Sequence, residues 1–216
     1  MGGSHLLTAS VVAGLLISAS AGVAGQEPGT PTPRTSVIVL EMDETTADAG
    51  LEGRIRAELD GLWSPYGITV AAPDDLESDA GACLAVKVVL TDDEPGIKPE
   101  PHRRPLGIVY RVGGMYRRVV FVSPAAVMRL VRKSAVEPRA SAVVASLHAR
   151  MLARVIAHEI GHILLESEDH APRGLMRGRF RPADVVQPGL ERFTLEPHES
   201  DRVASRCGVP PPAGQR

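Results

Sequence analysis

The run His158-Glu159-Ile160-Gly161-His162 contains the residues best suited to chemistry. On a helix, histidines four positions apart project from the same face one turn apart, so their imidazoles can reach one metal ion. Glu159 lies about 100° around the helix from His158. There its carboxylate is placed to accept a proton from a water molecule at the metal and to pass it to a leaving group. The run predicts a metal site with His158 and His162 as ligands and Glu159 as the general base.

The pattern alone carries limited weight, because roughly one random chain of this length in a hundred contains it. The alternative is a helix with histidine and glutamate on its surface. The surrounding sequence favours the metal site. From Ser141 to Leu165 the sequence predicts one long helix with apolar side chains in most directions, and Arg150 and Arg154 mark its one narrow polar stripe. A helix that is apolar nearly all round is an internal one, where charged and imidazole groups need partners.

The sequence after this run resembles that of the metzincins, a family of zinc peptidases. That family extends the motif to H-E-x-x-H-x-x-G-x-x-H and follows it with a turn that carries a methionine beneath the metal. His158, Glu159 and His162 match the motif residue by residue. The segment Gly174-Leu175-Met176 resembles the methionine turn. The close resemblance covers residues 158 to 176, and the order of elements from 36 to 165 is similar to that of a small metzincin catalytic domain.

The third ligand departs from the family pattern. Leu165 stands where the family has its helix-ending glycine, and Glu168 stands where it has the third histidine. We favour His170 as the third ligand, because a loop longer by two residues can still return to the ion and a neutral imidazole suits zinc. Glu168 is the alternative, since carboxylates also bind zinc. Glu166 and Asp169 are expected to solvate the loop.

The resemblance implies a zinc-dependent hydrolase with Zn²⁺ held by His158, His162 and His170. It implies Glu159 as the catalytic base, Met176 packed beneath the metal, and a peptide or protein as the substrate. Nothing in the spacing itself selects an amide over an ester. Met176 has a second interpretation as an ordinary core methionine that fills a gap.

Two other functions stay open. The first is a zinc-binding protein of metzincin fold that serves as a binding module with weak or no hydrolysis. The missing glycine, the displaced third ligand and Arg177, which stands where metzincins often carry a tyrosine, favour it. The intact Glu159 favours the enzyme, because a structural zinc site is usually closed by four ligands and does not use a base. The second is an interaction protein that binds no metal.

The fold class expected is α/β. It comprises a small twisted mixed sheet, a buried active-site helix and a short C-terminal helical subdomain. Hydrophobic periodicity and turn residues predict the individual elements. The predicted strands are 36–42, 68–70, 83–90, 106–112 and 117–122, with a hairpin at Gly113-Gly114. The predicted helices run from Thr45 or Thr46 to Trp63, from Ser123-Pro124 to Lys133, from Ser141 to Leu165 and from Glu196 to Arg206. The segment 169–189 is expected to be irregular.

The ends of the chain differ in composition from its centre. From Leu6 onwards, residues 1–25 are uncharged, with an aliphatic run followed by small residues. This composition predicts a signal peptide, and an uncleaved membrane anchor is the alternative. Residues 26–35 read as a linker, 36–208 as the catalytic domain and 209–216 as a disordered tail. Since no second apolar run is long enough for a bilayer, we expect an exported protein, periplasmic or extracellular, with no membrane association after signal removal.

The charge of the chain bears on its binding partners, and its cysteines bear on a disulfide. The formal charge of −2 does not indicate a nucleic-acid binder. Arginines cluster at 103–104, 117–118 and 173–181, and we interpret these clusters as solvated surface, with an anionic partner as the less favoured alternative. The two cysteines, Cys83 and Cys207, form a disulfide in one interpretation and are unrelated thiols in the other.

Overall fold

The structure, a computed structural model, describes residues 36–43, 49–75, 81–92, 105–134 and 140–210. Several predictions fall outside these residues: the signal peptide, the linker and the start of the first helix at Thr45 or Thr46. Of the predicted tail, Val209 is described and is buried, in van der Waals reach of Gly67. The side chain of Val209 therefore packs on the body of the protein, and the disordered tail stays a prediction for residues 211–216, which lie outside the described residues.

The described strands form one five-stranded mixed sheet in the order β2-β1-β3-β5-β4. The α/β fold class predicted from the sequence is confirmed. The first three pairings along this order are parallel, and β4 pairs with β5 antiparallel at the edge. The strands are Ser36–Met42 (β1), Ile68–Ala71 (β2), Ala82–Leu90 (β3), Gly107–Val112 (β4) and Met115–Val122 (β5).

Strand burial follows position in the sheet. β1 is buried along almost its whole length, as its run of aliphatic residues predicts for a parallel strand covered on both faces. β4 and β5 are joined by Gly113 and Gly114, which have φ values of 61° and 83°. Positive φ at both central residues is what a tight hairpin turn requires, and glycine adopts it without steric cost. The predicted hairpin is confirmed, with β5 beginning two residues earlier than expected.

The helices lie close to their predicted positions with one addition. The described helices are Ala49–Trp63 (α1), Pro124–Lys133 (α2), Ser141–Leu165 (α3), Pro182–Val186 (α4) and Pro197–Cys207 (α5). The side chain of Ser123 accepts a hydrogen bond from the backbone N–H of Ala126 at 3.1 Å and so caps α2, as predicted. The expectation that 169–189 is wholly irregular is wrong, because the short helix α4 lies within it. Among these helices, none is long and apolar enough to cross a bilayer.

Helix α3 is the central element of the fold. It packs against α1, α2 and α5 and against the last two strands of the sheet. Every residue from Met151 to Leu165 is buried, which confirms the prediction of an internal helix for this part, whereas most residues from 141 to 146 are exposed. The metal-site motif therefore lies on the best-packed backbone of the described chain.

Arg154, one of the two residues of the polar stripe predicted on α3, is not exposed to solvent. This side chain is fully buried, and its guanidinium donates to Glu58 Oε1 at 3.0 Å. It also donates to the carbonyl oxygens of Asp184 at 2.7 Å and Gln187 at 3.0 Å. Its cationic face lies 4.1 Å from the centre of the Phe193 ring. Arg154 is thus a buried cation that joins α3 to α1 and to the segment around α4.

Replacing Arg154 by methionine is expected to lower the free energy of unfolding by about 3 kcal/mol. Methionine keeps most of the volume but leaves Glu58 and two carbonyl oxygens without their donor. Urea denaturation followed by circular dichroism measures the change. Arg150→Met is the matched control on the same helix, because Arg150 Nε lies 3.9 Å from Glu58 in a partly exposed pair worth less than about 1 kcal/mol. Equal losses in the two variants would contradict the assignment of a buried ion pair to Arg154.

A disulfide joins the C-terminal helix to the sheet. Cys83 on β3 and Cys207 at the end of α5 are bonded, with Cα atoms 4.9 Å apart. The sequence left open a disulfide or two unrelated thiols, and the structure contains the disulfide. Ser36 Oγ donates to the carbonyl oxygen of Cys207 at 2.9 Å, so α5 is also tied to β1.

Candidate metal centre

Three histidines from two segments of the chain meet at one point. His158 and His162 project from the same face of α3, and their Nε2 atoms are 3.1 Å apart. His170 comes from the loop after α3, and its ring stacks on that of His158 with centroids 5.2 Å apart. One nitrogen of each ring lies within 4.8 Å of the others. In the described part of the chain, these three residues are the group of potential ligands that could hold a metal ion.

Backbone carbonyl oxygens orient the two imidazoles of α3. His158 Nδ1 donates to the carbonyl oxygen of Leu175 at 2.9 Å, and His162 Nδ1 donates to that of Ser167 at 2.6 Å. A carbonyl oxygen only accepts, so the proton of each ring lies on Nδ1 and the lone pair on Nε2. Two lone pairs therefore face each other across 3.1 Å. For ligands at about 2.0–2.1 Å on a tetrahedral ion, the two nitrogens would lie about 3.3 Å apart, so the arrangement fits a shared cation.

Burial keeps these imidazoles in the form that binds metal. It lowers the pKa of His158 to about 4, although the hydrogen bond to Leu175 acts in the opposite direction. Burial also lowers the pKa of His162. A metal competes with a proton for Nε2, so a lowered pKa favours the neutral imidazole that can act as a ligand.

Glu159 is buried between α3 and the edge of the sheet. Its side chain is 7% exposed. A Cβ built at Gly107 on β4 would lie 3.1 Å from Glu159 Cγ and Oε1, closer than ordinary packing allows. The absence of a side chain at Gly107 therefore lets the edge strand approach the carboxylate. β4 thus fixes the position of the predicted base beside the first histidine.

Met176 lies directly beneath the motif. It is fully buried, and a Cβ built at Gly161 would overlap its sulfur atom. The turn is held by backbone hydrogen bonds, from Ala171 N to Met176 O and from Leu175 N to Thr194 O, both at 2.8 Å. The turn that carries Met176 also supplies the carbonyl of Leu175 that orients His158. Gly161 is a residue whose role sequence reasoning missed, although a glycine inside a buried helix is a signal of close approach.

Replacing Gly161 by alanine is expected to displace Met176, to lower the free energy of unfolding by about 1–3 kcal/mol and to weaken metal binding. Thermal melts and metal titration measure the two effects. The control is Gly53→Ala in α1, because no described heavy atom lies within 4 Å of a Cβ built there. Alanine at that helical position should stabilise by about 0.5–1 kcal/mol. Unchanged stability and metal affinity in Gly161→Ala would contradict the packing role of this glycine.

The acidic residues of the loop after α3 are turned away from the three histidines. Glu168 is 70% exposed, with its carboxylate 3.6 Å from the guanidinium of Arg111 on β4. Asp169 accepts a hydrogen bond from Ser167 Oγ at 2.9 Å. The structure therefore brings His170, and not Glu168, together with the two histidines of α3.

The end of α3 shows which residue closes the helix where the metzincin pattern has a glycine. Glu166 follows the helix in the left-handed conformation, with φ 47°, and its N–H donates to the carbonyl oxygen of His162. A left-handed residue at this position is a common way to end a helix, and glycine usually occupies it. Here Glu166 does so one residue after Leu165, and its carboxylate pairs with Arg206 on α5 at 2.6 Å. The loop to His170 thus begins one residue later than in the family pattern.

Arg177 follows Met176 and supports the turn. Its guanidinium donates to Asp184 Oδ1 and to the carbonyl oxygen of Gly174, both at 2.7 Å, and lies 4.8 Å from the centre of the Phe193 ring. The side chain is 15% exposed. The interpretation of 173–181 as solvated surface is therefore wrong for Arg177, whose charge is compensated by Asp184.

The site combines three imidazole donors with a buried carboxylate on the neighbouring helical position. Such a set can bind a divalent cation and leave a coordination position for water or a substrate oxygen. Glu159 supplies a proton acceptor beside it. No model of a known protein family matches this chain, and no curated protein matches it either.

Proposed function

We propose that this chain is a zinc-dependent hydrolase that cleaves peptide bonds, with His158, His162 and His170 as ligands and Glu159 as the general base. The observation that carries the proposal is the convergence of three imidazoles beside a buried glutamate. Three protein ligands are typical of catalytic zinc sites, whereas structural sites use four. Imidazole also binds copper, nickel and iron, so the resemblance to metzincins favours zinc among them.

Each residue has a defined part in the reaction. When bound, zinc lowers the pKa of water and polarises a carbonyl group. The carboxylate of Glu159 accepts the proton of the attacking water and then delivers it to the leaving nitrogen, so the amine departs neutral. Leu175 and Ser167 hold the two imidazoles of α3 through their carbonyl oxygens. Met176 supports the helix beneath the ligands.

Two further observations support the wider proposal. The resemblance over residues 158–176 favours a peptide bond over an ester as the reacting group. The bridge between Cys83 and Cys207 is compatible with an oxidising compartment. We therefore propose a peptide or protein as the substrate and an exported protein, in the periplasm or outside the cell.

A binding module that holds zinc without hydrolysis is the second candidate. Arg177 favours it, because its guanidinium is engaged by Asp184 and Gly174 and does not offer a donor for a developing oxyanion. Burial of Glu159 next to His158 favours the hydrolase, since a binding module does not need a proton acceptor there.

Zinc stoichiometry and cleavage of a mixed peptide library test the proposal in wild type, Glu159→Gln and the control Glu168→Gln. We expect one zinc in all three proteins. We expect cleavage by wild type and Glu168→Gln, and a rate lower by about 10²–10⁴ in Glu159→Gln. Full activity of Glu159→Gln would exclude it as the base. One zinc without cleavage by wild type would favour the binding module, and no zinc would overturn the proposal.

A further inference from the structure

A large groove lies next to the third histidine of the proposed metal centre. It has a volume of about 890 Å³ and is lined by residues of the segments 171–184 and 191–197. Gly178 lines it, and a Cβ built there would lie 3.3 Å from His170 Cβ. The groove therefore lies beside His170, next to the proposed metal centre.

Arginines dominate the charge of this groove. Its lining contains five arginines and three acids: Arg173, Arg177, Arg179, Arg181 and Arg192, with Asp184, Glu191 and Glu196. Asp184 compensates Arg177, and Glu196 compensates Arg173. The other three arginines are exposed and have no salt bridge within the described residues. The chain as a whole has a formal charge of −2, so the positive charge here is local.

The aromatic residue between two of these arginines in the chain contacts the proposed metal centre. The Phe180 ring lies 5.7 Å from the ring of His158 and stacks on Phe193 at 6.3 Å. Arg179 and Arg181 flank Phe180 in the chain and are exposed. Because Phe180 packs against a proposed metal ligand, the backbone of its two neighbours lies close to the proposed metal centre.

We propose that this arginine groove binds acidic side chains of the substrate, so that the hydrolase selects peptides with Asp or Glu beside the bond it cleaves. The inference rests on the proposed function, since it names the substrate class of the same site. A guanidinium presents a planar pair of donors that matches a carboxylate in two parallel hydrogen bonds. One exposed pair of arginine and carboxylate contributes little binding energy, and salt screens it. Three arginines in one groove add their contributions to the binding of an acidic peptide.

The test measures binding separately from catalysis. Fluorescence anisotropy follows fluorescein-labelled peptides on zinc-loaded Glu159→Gln protein at low and high salt. One peptide has a central acidic triplet, and a second of the same length has glutamines in its place. The groove variant is Arg179→Gln with Arg192→Gln. The control variant is Arg117→Gln with Arg118→Gln, which removes the same charge from exposed positions of β5. Melting curves and zinc content verify that both variants are intact.

We expect the acidic peptide to bind about tenfold more tightly than the glutamine peptide at low salt, with the preference reduced at high salt. The groove variant should lose most of this preference and the control variant should keep it. Equal binding of the two peptides, or equal loss in both variants, would overturn the proposal. So would a single-stranded oligonucleotide of the same length that bound the groove more tightly than the acidic peptide. Acidic preference in a protein without hydrolysis would leave the groove assigned and refute only the proposed reaction.

Discussion

Replacing His170 by alanine is expected to weaken zinc binding by about 100-fold or more, because the site loses one of its three ligands and keeps only the pair on α3. Glu168→Ala should leave the affinity nearly unchanged. The carboxylate of Glu168 is mostly exposed and lies beside Arg111, outside the group formed by the three histidines. Competition against a chromogenic zinc chelator at neutral pH measures both dissociation constants.

Two controls make the His170 result specific. Thermal melts in the presence of a chelator show whether His170→Ala still folds; His170 is exposed, so its loss should cost little stability. His170→Cys offers another zinc ligand at the same position and should recover part of the affinity. If Glu168→Ala lost more zinc than His170→Ala, the third ligand would be the carboxylate, and the loop would rearrange on binding.

Removing the bridge by Cys83→Ser with Cys207→Ser is expected to lower the free energy of unfolding by about 4–5 kcal/mol. The two residues are 124 positions apart, and closing so long a loop removes a large conformational entropy from the unfolded chain. Urea denaturation of both proteins, without reductant, measures the loss. A loss below about 1 kcal/mol would show that the unfolded chain is already compact around this pair.

A second variant separates the covalent bond from its surroundings. Ser36→Ala removes the hydrogen bond from Ser36 Oγ to the carbonyl oxygen of Cys207 and leaves the bridge intact. Its expected cost is about 1 kcal/mol. Wild type treated with reductant should resemble the double serine variant and not Ser36→Ala.

The elements with a strong local signal were predictable from the sequence. α3 begins and ends where its apolar pattern indicates, because its second half is buried on all sides and is apolar in most directions. The hairpin at Gly113 and Gly114 follows from a backbone conformation that glycine favours. α4 was not predictable in this way, since five residues carry too short a pattern. Arg154 was assigned to a polar stripe because its partner, Glu58, is 96 positions away in the chain.

In the candidate site, too, the features set by local sequence were predictable and those set by the fold were not. The spacing of His158 and His162 is fixed by the helix, so their meeting follows from the sequence. The position of His170 depends on how the loop leaves α3 at Glu166, and local pattern does not determine that turn. The role of the carbonyl oxygens of Leu175 and Ser167 cannot be predicted from the sequence. Every residue carries a carbonyl, and only the fold decides which ones face an imidazole.

The bridge between Cys83 and Cys207 turns the chain between them into a covalent ring that contains the three histidines, Glu159 and the arginine groove. One cut anywhere inside this ring opens it without separating the two pieces, because each piece keeps one of the bonded cysteines. A cut before Cys83 or after Cys207 leaves a fragment with no covalent bond to the rest of the chain. A protein nicked once inside the ring by a peptidase therefore migrates as one chain under denaturing conditions until reductant is added. Its ligands stay on a single molecule even after the backbone between them has been broken.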